Sequence, residues 1–102
     1  MKVANVNINK TTTQKIQLVE GDFTVSEATD IIVSLIDEKL NFHKLQRLSL
    51  SEGYSGANTK YPDGRIGELE REKATARAFF AEVRKSGAKI TINGTLEISI
   101  TK

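Results

Sequence analysis

Tyr54, Lys60, Tyr61 and Arg65 bring two aromatic rings and two cations into one short stretch, a set able to stack on bases or grip a phosphate. Lys39, Lys44 and Arg47 lie just upstream, in a run from Lys39 through Ser51 that holds no acidic residue. Together these residues form the candidate contact set for a nucleic acid or another anionic ligand. The plainer reading is a solvated loop beside a charged element. A net charge of +2 and a pI near 9.0 permit nucleic-acid binding without arguing for it.

Covalent and acid–base chemistry find less to work with. Lys73 lies in the middle of an apolar helical seam, where a desolvated lysine can act as nucleophile or base. With no partner identifiable, its stem is expected to cover apolar surface while the ammonium reaches water. His43 is the single histidine and invites a general-base role, but no acid stands beside it. Gly53-Tyr-Ser-Gly-Ala57 lacks the second glycine at nucleophile-elbow spacing, and no glycine loop leads to Lys-Ser or Lys-Thr at phosphate-binding spacing. The absence of cysteine removes disulfides, thiolate zinc sites and thiol nucleophiles, and one histidine rules out the usual multi-histidine metal clusters. No catalytic residue, metal or cofactor is therefore expected, and the chain is read as a non-enzyme.

At 102 residues the chain suits a single domain spanning 1–102, with an ordinary balance of 38% hydrophobic and 27% charged residues. No signal-peptide core or membrane-length apolar run is present, so a cytoplasmic location is the default expectation.

The elements that would position these residues are read from periodicity. Ala4, Val6 and Ile8 alternate with asparagines, suggesting a weak strand or a loose arm over residues 1–13. Lys15–Glu20 reads as a better strand, with Ile16 and Leu18 inward. Thr24-Val-Ser-Glu27 fits a capping box, and Ala28, Ile31, Ile32, Leu35 and Ile36 follow at helical spacing. Val33 and Leu40 widen that apolar arc beyond a single stripe, so this helix needs cover from a sheet and from a second helix or another subunit. After Leu40 the phase of Phe42, Leu45, Leu48 and Leu50 breaks down, and Phe42 to Ser51 is read as a strand, with helical continuation the alternative. Ser51 to Gly64 is rich in turn formers and reads as a long loop, the best place to look for a site. Asp63 then caps a helix whose seam is Ile66, Leu69, Lys73, Ala76, Phe80 and Val83, closing at Gly87. Ile90 and Ile92, then Leu96, Ile98 and Ile100, alternate with polar residues on either side of Asn93-Gly94, which reads as a hairpin turn.

The expected fold is α+β, a two-layer sandwich in β-α-β-α-β-β order, with two helices on one face of a mixed sheet and a C-terminal hairpin. That order resembles the two-layer topology of the Alba chromatin proteins and of the C-terminal domain of bacterial translation initiation factor three. The resemblance implies nucleic-acid binding, although a fold does not fix a function. Sulfur-carrier proteins of similar topology depend on a cysteine that this chain lacks. The leading expectation is a self-associating domain, a homo-oligomer with a dimer favoured, motivated by the broad arc of the first helix and the exposed hairpin. Nucleic-acid binding through the residues named first is the alternative.

Overall fold

The computed structural model describes residues 13–53 and 56–101. The element order is β1 (Thr13–Phe23), α1 (Val25–Gly53), α2 (Lys60–Ser86) and β2 (Ile90–Ser99). The fold is α+β as expected, but a pair of helices and a two-stranded sheet replace the two-layer sandwich on a larger mixed sheet. The order that resembled the Alba and initiation-factor topology is therefore absent among the described residues. The chain forms two compact units, a helical one over Phe23–Ile90 and one that holds most of both strands. The expected arm at 1–13 falls outside the described residues except for Thr13, which opens β1.

In the helical unit, α1 starts as the capping box requires. The Thr24 backbone N–H donates to Glu27 Oε1 at 2.9 Å, and the Glu27 N–H donates back to Thr24 Oγ1 at 3.1 Å. The helix then runs for 29 residues, about 43 Å at 1.5 Å per residue. Phe42–Ser51 is thus helical rather than a strand. The reason lies in the packed positions: Val33, Ile36, Leu40 and His43 follow one another at three- and four-residue spacing. The residue that carries the buried face past Leu40 is a histidine, which apolar periodicity passes over.

The connection to α2 is correspondingly short, residues 54–59, within the usual range for paired helices. The expected loop at 51–64 shrinks from both ends, because α2 begins at Lys60 and not after Asp63. Pro62 is tolerated in the first turn, where its missing N–H is not needed, and it is fully buried. Asp63 works one turn inside the helix, accepting a hydrogen bond from Thr59 Oγ1 at 2.9 Å. The α2 seam forms as expected: Ile66, Leu69 and Phe80 are buried, and Lys73, Ala76 and Val83 are half-buried. Gly87 ends the helix in the left-handed conformation at φ 72°, which glycine adopts without steric cost. Leu40, Ile66 and Leu69 form the core cluster, with Ile36 packed against it. The helices run antiparallel, since Arg47 pairs with Asp63 and Asp37 with Lys73.

β1 and β2 pair antiparallel as a two-stranded ribbon. β2 passes straight through Asn93-Gly94, so the expected C-terminal hairpin does not form. Gly94 is not in a positive-φ conformation; its bare Cα instead admits Val19 Cγ1, which would stand 3.1 Å from a Cβ there. Across the ribbon Gln17 reaches both Asn93 and Thr95, Val19 abuts Gly94, and Asp22 reaches Thr91. Gly21, at φ 149°, holds a backbone conformation that side-chain-bearing residues rarely adopt.

Candidate interaction surfaces

The ribbon has two chemically distinct faces. On one, Gln17 Nε2 donates to Asn93 Oδ1 at 2.6 Å, and Thr95 Oγ1 donates to Gln17 Oε1 at 2.7 Å. Farther along, Thr91 Oγ1 donates to Asp22 Oδ1 at 2.7 Å. Alternation puts Leu96 and Ile98 on the opposite face of β2, and these two, with Ile16 and Leu18 on β1, remain between 42% and 51% exposed. The inward placement expected for Ile16 and Leu18 is therefore corrected.

The helical unit leaves its own apolar surface open. Leu35, Phe42 and Leu45, spaced to share one side of α1, are exposed, and Leu48 and Leu50 are exposed beyond them. The broad arc read from the sequence is thus covered by α2 on one side only. A groove of about 640 Å³ runs between the helices, floored by Ile32, Ile36, Ala76 and Phe80, with exposed Phe79 on its wall.

The seven residues proposed for anion contact scatter among different partners. Arg47 pairs with Asp63 at 3.2 Å, and Arg65 pairs with Glu68. The Lys39 ammonium stands 5.0 Å from the centre of the Phe42 ring, a cation–π contact. Lys44 borders a cleft of about 410 Å³ that it shares with Asp37, Asn41, Glu70 and Lys73. Lys60 begins α2, its backbone N–H donating to Asn58 Oδ1 at 2.9 Å. Tyr61 is the exposed aromatic of the set, and Tyr54 lies outside the described residues. Toward the C-terminal half of α1, Arg47 meets Asp63 and His43 meets the Tyr61 ring, both across to the start of α2; Lys39 lies farther back along α1.

His43 and Lys73 each meet a partner that sequence spacing did not indicate. His43 is 2% exposed, with Nδ1 3.0 Å from Gln46 Oε1 and its ring edge-on to Phe42 and Tyr61. Nε2 is buried without a hydrogen-bond partner among the described residues. Among the described residues no carboxylate or nucleophile addresses the ring. Lys73 Nζ lies 2.7 Å from Asp37 Oδ1 across the two helices, so its ammonium is paired rather than merely solvated. Within α2 itself, Glu68 pairs with Arg65 and Glu82 with Lys85, each across a single turn.

Compared with known proteins, the chain matches no family model, no curated protein and no solved structure. Its reading therefore rests on these surfaces. Among the described residues no helix is long and apolar enough to cross a membrane, and no three metal-ligating side chains gather.

Proposed function

We propose that this chain is a non-enzymatic assembly module that works by associating with copies of itself. The observation that carries the reading is the paired exposure of Ile16, Leu18, Leu96 and Ile98 on the ribbon and of Leu35, Phe42 and Leu45 on α1. Scattered exposed leucines are ordinary, but contiguous apolar faces on regular elements are the usual mark of an interface. A two-stranded ribbon is also marginal by itself in water and gains independent stability when further strands or a helix cover its apolar face. The histidine and lysine that invited catalysis support the non-enzymatic part, since one is enclosed by aromatic rings and the other is tied to Asp37.

Nucleic-acid binding draws less support. Arg47 and Arg65 spend their charge on Asp63 and Glu68, and Lys44 shares its cleft with two carboxylates. Native mass spectrometry of the purified chain tests the proposal. A particle of two or more chains without nucleic acid is expected; single chains carrying a bound oligonucleotide would reverse the order of the two readings.

A further inference from the structure

We infer that the outer edge of β2 pairs antiparallel with the same edge of a second copy, about a twofold axis at Asn93. The inference deepens the self-association reading and rests on it. β2 is ten residues long, with one edge bound to β1 and no strand on its other edge among the described residues.

Exposed strand edges are normally blunted by charge, proline or a bulge, because their unpaired N–H and C=O groups invite another chain. β1 carries such guards in the charged residues Lys15, Glu20 and Asp22. β2 holds no proline and a single charge, Glu97, in a continuous strand. The unguarded edge is the one offered for pairing.

Symmetry and charge then select the register. An axis between two residues would set even-numbered positions opposite odd-numbered ones and scatter the isoleucines over both faces. An axis on a residue keeps Ile90, Ile92, Leu96 and Ile98 of both copies on one face. Placed at Asn93, it sets Glu97 opposite Lys89 of the second copy, the residue just before β2 begins, and by symmetry does so twice. The same axis aligns Thr91 with Thr95 and Ile90 with Leu96. An axis at Gly94 would leave Glu97 facing Thr91, and one at Thr95 would leave it facing Asn93. The product is a four-stranded sheet in the order β1-β2-β2-β1, with one polar face, one continuous apolar face and the guarded strands outermost.

Because the chain contains no cysteine, single replacements report the register directly. Asn93→Cys, Thr91→Cys and Thr95→Cys are each oxidised under mild conditions and resolved on non-reducing gels. Asn93→Cys is expected to form a covalent dimer roughly tenfold faster than either other variant, since facing residues lie within disulfide reach. An equimolar mixture of Thr91→Cys and Thr95→Cys is expected to cross-link as a mixed dimer. Fastest self-linking at Thr91 or Thr95 overturns the register. Wild-type dimers whose variants do not cross-link overturn the β2 pairing but leave self-association standing, whereas wild-type monomers at every concentration overturn both.

Charge reversal supplies a check that does not depend on oxidation. Lys89→Glu and Glu97→Lys should each weaken the dimer, and the two together should restore it. Losses that add in the double variant would contradict the Lys89–Glu97 pairing.

Discussion

Val19 Cγ1 closes against the bare Cα of Gly94, 3.1 Å from where a Cβ would stand. The contact explains why β2 carries a glycine in mid-strand, where glycine ordinarily weakens pairing. Gly94→Ala requires Val19 to give by a few tenths of an ångström and should cost about 1 kcal/mol, the low end for inserting volume at a packed contact. Val19→Ala in the same chain should recover part of that loss, giving a coupling of about 0.5 kcal/mol or more by urea denaturation. Strictly additive losses would mean that the two positions do not meet.

That contact also shows why the C-terminal hairpin was misread. Asn-Gly is the strongest short hairpin signal, and it outweighed the parity of Ile90, Ile92, Leu96 and Ile98, which stays in step across Gly94. The close approach of Val19 is a tertiary fact, invisible to local turn chemistry. The same limit produced the error after Leu40, where His43 continued the buried face in place of an apolar residue. Features that depend on neighbouring residues were legible: the Thr24–Glu27 capping box, the seam from Ile66 to Val83, and the Gly87 terminus. The interaction surfaces were half legible. Excess apolar character on α1 could be counted, but the pairing of Arg47 with Asp63 and of Lys73 with Asp37 required knowing that the helices lie side by side.

His43 should behave as a packing residue. Its Nε2 lacks a hydrogen-bond partner among the described residues, so replacing the ring with an apolar side chain removes a buried polar atom at little cost. His43→Leu is expected to leave stability unchanged or raise it by about 1 kcal/mol, while His43→Ala opens a cavity and should cost about 2–4 kcal/mol. Thermal unfolding of both variants separates this from an essential polar role, under which leucine would be as damaging as alanine.

Two glycines should respond in opposite directions. Gly21 sits at φ 149°, so Gly21→Ala should cost about 1–3 kcal/mol through backbone strain. Gly64 lies within α2 with open space where a Cβ would go, so Gly64→Ala should add about 0.5–1 kcal/mol. Equal effects in denaturant titrations would contradict the assigned backbone conformations.

The Lys73–Asp37 pair should contribute little to stability despite its short distance. Its side chains are 30% and 49% exposed, and solvent screens such pairs to about 0–1 kcal/mol. Lys73→Met keeps the stem over the seam and should shift stability by less than about 1 kcal/mol. A loss several times larger in urea titration would show that the charge is held in a much less solvated site.

Sedimentation equilibrium of the wild-type chain over a dilution series tests self-association most directly. A reversible equilibrium between the 11.3 kDa chain and a species of twice that mass is expected, moving toward the monomer on dilution. A constant mass of 11.3 kDa up to the solubility limit would contradict it, and would leave the apolar faces of the ribbon and of α1 to a different partner.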